Sequence, residues 1–313
     1  MRTSPTLALD VCQRPDVALA VYGKTFRWAS RLLGRNTGSR VSALYGFCRY
    51  ADELADTVGG AEGRSLLEAL KADLASGWSA EPAVQGFLKV ARELAVDLEP
   101  ARLLVQGVES DLEPRGFARI DDLRRYGYLV AGTVGLLMCA LVGVKDSRAQ
   151  AFAIDLGIGM QFTNIARDVL EDAHAGRLYL PLEWLDGPLD PKDLVQDRGA
   201  ARARALAAIT KLLALANEHY TSADKGLGFL PWRARAAVKT ASRCYEAIGP
   251  RILSRGAGYW NSRTFVGTGG KLMHTLGALA SLACEPRLLP SGPAPTHSRE
   301  LHAGLQGLPG ADA

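Results

Sequence analysis

Charge of one sign, paired cysteines and aromatic weight are all in short supply in this 313-residue chain. Lys plus Arg number 37 against 33 Asp plus Glu, a formal net charge of +4. So small an excess over this length is not the footprint of a dedicated nucleic-acid binder, and no nucleic-acid partner is expected. It leaves anionic small substrates and an anionic membrane surface open as partners. The cysteines, Cys12, Cys48, Cys139, Cys244 and Cys284, are odd in number, far apart, and form no C-x-x-C. That pattern argues against a disulfide scaffold and a zinc framework, and suits a cytoplasmic setting. The histidines are scattered, with no H-E-x-x-H. A secretion signal is not expected, because charge falls where MRTSPTLALDVCQRPD would need an apolar stretch. Alternation of β-branched residues is almost absent, so a sheet with dinucleotide-binding turns has little support.

One uncharged stretch is present, 126–144, reading YGYLVAGTVGLLMCALVGV. As a helix its 19 residues would extend about 28 Å, close to a bilayer core. Four glycines and a threonine dilute it, and no second clear span accompanies it. It reads as a buried central helix. Elsewhere apolar residues recur every three or four positions. The spacing predicts helices over 17–33, 39–58, 63–75, 82–96 and 98–110, with Pro82 and Pro100 in first turns. Asp121-Asp122 introduces the long apolar helix, and Asp146-Ser147 introduces another that runs to about Ala173. Further helices are expected over 200–223, 232–247 and 271–284, after a polar break at 186–199. Near-uniform helical patterning across that break favours one domain over 16–284, preceded by an N-terminal extension, 1–15. The proline- and glycine-rich end, 285–313, is expected to be a disordered tail.

Two segments carry carboxylates at helical spacing. In Y-G-F-C-R-Y-A-D-E-L-A-D, Tyr45, Arg49, Asp52 and Asp56 fall on one stripe, with Glu53 about 100° away. Arg49 is three residues from Asp52, within reach along the helix. In Q-F-T-N-I-A-R-D-V-L-E-D, Gln161, Asn164, Asp168 and Asp172 share a side, with Gly157 near the same line. A solvated stripe explains the first segment as well as a site does. It explains the second less well, because the polar stripe grows out of the apolar run AFAIDLGIGM. Carboxylates on opposing helices suit Mg²⁺, which takes oxygen ligands and bridges to substrate phosphates. Apolar helices around them would bind a hydrocarbon and exclude water from a reactive cation. Cys48 lies between positions of the first stripe without a base partner and reads as a packed thiol.

These residues resemble the squalene/phytoene synthase family. DELAD, led by Tyr45 and Arg49, is similar to its first D-x-x-x-D motif. NIARDVLED with HAGRLYLP is similar to the second, and YGYLVAGTVG, 126–135, matches a third helix. The resemblance runs from about Tyr22 to Leu272 and implies the isoprenoid synthase fold, a single all-α domain around a deep central cavity. It implies diphosphate and Mg²⁺ roles for Asp52, Asp56, Asn164, Asp168 and Asp172, with two or three ions bound alongside substrate. It places Gln161 in the same channel, and Tyr45, Arg49, Arg177 and Tyr179 where diphosphate is contacted or closed over. Arg263 matches a late diphosphate-binding arginine. The chain departs from the family's S-K-S-F at G-K-T-F. Thr25 keeps a hydroxyl there, Phe26 keeps the aromatic ring lining the pocket, and Gly23 loses one contact.

The implied reaction joins two prenyl diphosphates head to head through a cyclopropyl diphosphate. The run Y-L-P-L-E-W-L from Tyr179 resembles the phytoene synthase form, and no nucleotide-binding glycine loop is present. Both favour geranylgeranyl diphosphate as substrate, with NADPH needed only for a squalene product. Farnesyl diphosphate, giving dehydrosqualene, presqualene diphosphate or squalene, is the alternative. A noncatalytic helical interaction protein is another, disfavoured because all four motif aspartates persist. Peripheral membrane contact and a monomeric or weakly dimeric state complete the expectations.

Overall fold

The computed structural model describes residues 5–113, 116–284 and 295–312. Among them every regular element is helical. The chain begins with α1 (Pro5–Cys12), α2 (Pro15–Val21), α3 (Lys24–Ser30) and α4 (Arg35–Glu53), which passes into a π-helical turn, Leu54–Val58. Next come α5 (Gly60–Ser76), α6 (Pro82–Leu94), α7 (Glu99–Glu109) and a 3₁₀ turn, Ser110–Leu112. A long rod follows: α8 (Ile120–Gly127), a second π-helical turn (Tyr128–Gly132) and α9 (Thr133–Leu141). The centre is α10 (Ala149–His174), followed by the short α11 (Pro191–Val195), α12 (Gly199–Lys225), α13 (Trp232–Glu246), α14 (Ile248–Arg255) and α15 (Thr268–Cys284).

The apolar periodicity sorts most of these helices into two large cores, with a small third cluster of Leu33, Ala234 and Ala237. One gathers Ile154, Ile158, Phe162, Ile165 and Val169 of α10 against α12, α14 and the α8 rod. The other packs Leu44, Phe47 and Leu54 of the first acidic segment against α5, α6 and α7, with Phe47 stacked on Phe87 at 4.6 Å. The α8–α9 rod runs between them. Its small residues allow a close approach: a Cβ on Gly157 would lie 2.3 Å from the Ala131 carbonyl oxygen, and one on Gly135 2.2 Å from that of Ala153. Gly157 therefore serves helix packing here. No side chain larger than hydrogen fits without parting the two backbones. Among the described residues, no helix is long and apolar enough to cross a membrane.

Helix positions follow the apolar spacing closely, with three differences. The helix expected over 17–33 is broken at Tyr22-Gly23, where a Gly23 Cβ would meet both Leu19 and the Tyr45 ring at 2.8 Å. The N-terminal extension contains α1, whose Cys12 is fully buried in the second core. The disordered tail does not extend over 295–312. Leu305, His302 and Ala311 are buried there, Arg124 donates to the Ala303 carbonyl at 3.0 Å, and Tyr128 donates to that of Pro309 at 2.8 Å. A few apolar side chains, and side-chain donors from α8 and the second π turn onto its carbonyls, order this segment despite its composition. The remainder of the expected tail, 285–294 and residue 313, lies outside the described residues.

Candidate active site

The first acidic stripe spans a change of helix type. Asp52 lies in the last turn of α4, and Asp56 sits on the π turn closed by Gly59 at φ 65°. Widened turns of this kind recur at functional sites, where they re-aim side chains. Burial pushes the Asp52 carboxyl up to about 7, with Arg49 opposing and Asp56, Asp111 and Glu53 adding to the rise. Arg49 does not hydrogen-bond Asp52. It donates to Glu53, which also accepts from Thr57, and it lies over the Tyr22 ring at 4.3 Å. Glu53 is thus off the face as expected, and it takes the guanidinium that spacing alone offered to Asp52.

The second stripe lies on α10. Asn164 Nδ2 donates to Gln161 Oε1 at 3.3 Å, while Asn164 Oδ1 is buried without a hydrogen-bond partner. Asp168 is clamped from two sides. Arg167 donates through Nε and Nη2 at 2.7 and 2.5 Å, and Arg263 through the same atoms at 2.9 and 2.8 Å. Arg263 therefore sits on a motif carboxylate, half-exposed at the rim. Burial pushes the Asp172 carboxyl up to about 8. Asp168, Asp56 and Asp111 add to the rise, and Arg177 opposes it.

That set of neighbours brings the two stripes into one electrostatic field. Arg177 links them directly, donating from Nη1 to Asp56 Oδ1 at 2.5 Å and from its backbone N–H to the Asp172 carbonyl at 2.9 Å. Gly176, at φ 77°, makes the turn that brings Arg177 back over the end of α10. Tyr179 donates to Asp111 Oδ1 at 2.7 Å, Tyr126 donates to Oδ2 at 2.9 Å, and the two rings stack at 5.4 Å. Burial raises the Asp111 carboxyl to about 6, even with both phenols and Arg177 opposing. An open cleft of about 550 Å³ adjoins this group, with Asp111, Tyr179 and Phe117 in its wall. Tyr45 and Phe26 meet at 6.2 Å, and Phe26 meets Tyr245 at 5.4 Å, forming an aromatic wall beside the half-buried Thr25.

Asp111, Tyr126, Arg167 and Tyr245 were not singled out by spacing. Asp111 stands outside both stripes, and Arg167 is one residue, or 100°, from the face its neighbour occupies. The signal available for Arg167 was its adjacency to a carboxylate inside a recognised motif. Cys48 has its thiol raised by burial, as a packed residue should. The donor set formed by Asp52, Asp56, Asp172 and Asn164 is all oxygen. Carboxylates that share one electrostatic field, with the unpartnered Asn164 Oδ1 beside them in sequence, fit hard divalent cations such as Mg²⁺.

Residues 19–268 match the squalene/phytoene synthase family. The chain belongs to this family. Its membership makes it a prenyltransferase, and its helical architecture is the isoprenoid synthase fold. The 15-cis-phytoene synthase of Pantoea ananas is 35% identical over 297 residues, covering 89% of this chain and 94% of that one. The phytoene synthase of Rhodobacter capsulatus is 33% identical, covering 91% and 84%. Among solved structures, a dehydrosqualene synthase superposes with a TM-score of 0.73 at 23% identity, covering 90% of this chain and 98% of that one. A squalene synthase from Alicyclobacillus acidocaldarius gives 0.66 at 22%, covering 81% and 95%. These last two share the fold of this squalene/phytoene synthase family member.

Proposed function

We propose that this chain is a phytoene synthase that joins two geranylgeranyl diphosphates head to head with release of two diphosphates. The observation that carries the reading is the convergence of both acidic stripes through Arg177 in a chain whose relatives are phytoene synthases. Asp52, Asp56, Asn164, Asp168 and Asp172 would hold two or three Mg²⁺ with substrate. Those ions supply neutralisation of the departing diphosphate.

The chain's own residues prepare the rest. Arg177 and Arg49, both paired with carboxylates, keep guanidinium groups at the mouth of the site for diphosphate oxygens. Arg263, on Asp168 and half-exposed, is placed to exchange that carboxylate for diphosphate as substrate enters. Gln161 and Thr25 add neutral polar groups. The aromatic wall of Tyr45, Phe26 and Tyr245 offers π faces to an allylic cation and keeps water from it. Departure of the first diphosphate leaves a cation that the acceptor's C2–C3 double bond attacks, and proton loss closes the cyclopropane. Departure of the second diphosphate, rearrangement and a second proton loss give the C40 hydrocarbon. No reductant enters. Tyr179 with Asp111 forms a half-buried phenol–carboxylate pair able to hold one of these protons. Phe265, Leu272, Met273 and Leu276 are exposed on or beside α15, which supports a peripheral membrane contact for delivering so insoluble a product.

Purified protein with Mg²⁺ and geranylgeranyl diphosphate, without NADPH, should give phytoene by mass spectrometry. A C30 product from farnesyl diphosphate, with none from the longer substrate, would overturn the assignment in favour of the alternative.

A further inference from the structure

Away from the acidic stripes, four titratable side chains meet where the C-terminal segment crosses α10 and α12. Asp155 of α10 is fully buried. His219 Nδ1 of α12 lies 2.8 Å from Asp155 Oδ1, His297 Nε2 lies 2.7 Å from Oδ2, and His302 Nε2 lies 3.3 Å from Oδ1. The ligand atoms of Asp155, His297 and His302 all fall within 4.8 Å of one another. The prenyl-transfer chemistry uses none of them.

The hydrogen bonds around this group decide its chemistry. His302 Nδ1 donates to the Ala311 carbonyl at 2.8 Å, which turns Nε2 toward a carboxylate oxygen of Asp155. That nitrogen is buried and makes no hydrogen bond. A cation bound between Nε2 and the carboxylate would give both a partner. His219 meanwhile meets the same carboxylate oxygen, Oδ1, from α12, and His297 meets the other, Oδ2. Imidazoles fixed by backbone carbonyls, and carboxylates fixed by a further donor, are the usual outer partners of metal ligands. The H-x₄-H spacing of His297 and His302 lies within the range of zinc-binding pairs.

We propose that Asp155, His297 and His302 bind a structural divalent transition-metal ion of the Zn²⁺ class. The ion clasps residues 295–312 onto α10, and His219 orients the Asp155 carboxylate. Two imidazoles with one carboxylate form a nitrogen-rich set that favours zinc over the Mg²⁺ suited to the acidic stripes. The clasp lies alongside the Arg124–Ala303 and Tyr128–Pro309 hydrogen bonds, so losing it frees the segment covering α8 and the second π turn.

The full chain, produced with zinc in the medium and dialysed, should retain about one zinc per chain by elemental analysis. Chelation should lower its melting temperature, and zinc should restore it. Cobalt exchanged for zinc should show the visible absorption of a tetrahedral nitrogen-ligated site. His297→Gln and His302→Gln, checked for helicity by circular dichroism, should lose both the metal and the cobalt band, while Asp168→Asn keeps them. Wild-type protein that holds no zinc and melts the same with and without it would overturn the proposal. So would full zinc retention in both histidine variants, or zinc lost through Asp168→Asn instead.

Discussion

The two acidic stripes look alike in sequence and differ in how their charge is balanced. On the first, the nearest guanidinium is drawn off to Glu53, and Asp52 is left half-buried with its carboxyl raised to about 7. On the second, Asp168 is neutralised by two arginines, while Asp172, one turn on, rises to about 8. Each stripe thus pairs one carboxylate compensated within the protein with one that is not. The uncompensated pair, Asp52 and Asp172, is where an added cation gains most. The compensated pair, Asp56 with Arg177 and Asp168 with Arg167 and Arg263, positions arginines that an incoming diphosphate can take over.

The largest effect expected from this contrast is on turnover. Asp52→Asn and Asp172→Asn should each lower the rate of geranylgeranyl diphosphate consumption by on the order of 10²-fold or more, with helicity unchanged. A loss within twofold for either would remove it from the cation site. Gly157→Ala comes next. Its added methyl meets the Ala131 carbonyl and should destabilise the fold by about 1–3 kcal/mol in urea unfolding, because it parts α10 from the rod. Unchanged stability would show that the two helices have slack.

Acidity gives a third handle. Both raised carboxyls bind protons more tightly folded than unfolded. Without metal, the stability they contribute is fully present below the ordinary carboxyl value of 3.8, falls as pH rises, and is gone above about 7 to 8. Mg²⁺ competes with those protons, so the rise in melting temperature on adding Mg²⁺ should be larger at pH 8.5 than at pH 6. An equal rise at both would mean that Asp52 and Asp172 are already ionised. The smallest effect separates the two clamps on Asp168. The half-exposed Arg263, replaced by Ala, should change kcat/KM within about fivefold, and Arg167→Ala should change it more. The reverse order would make Arg263 the principal diphosphate contact.

Helix positions and both stripes were legible because apolar and acidic residues repeat at the period of the helix. The π turns were not: they depend on i to i+5 backbone bonds that leave little mark on side-chain spacing. Arg49 shows the limit of spacing on a single helix, since Asp52 and Glu53 are both within its reach and the folded chain pairs it with Glu53. Asp111 stayed hidden because its partners, Tyr126 and Tyr179, come from distant segments. The C-terminal segment was misjudged by composition, which registers prolines and glycines but not the buried histidines that meet Asp155.

The central claim is that the two stripes form one site, and a double-mutant cycle tests it most directly. Mg²⁺-dependent consumption of geranylgeranyl diphosphate would be measured for wild type, Asp52→Asn, Asp172→Asn and the double variant. The two losses should be far from multiplicative, with the double variant little worse than the poorer single one, as for groups that act as a unit. Losses that multiply fully would mean that the stripes act independently, and would contradict the claim.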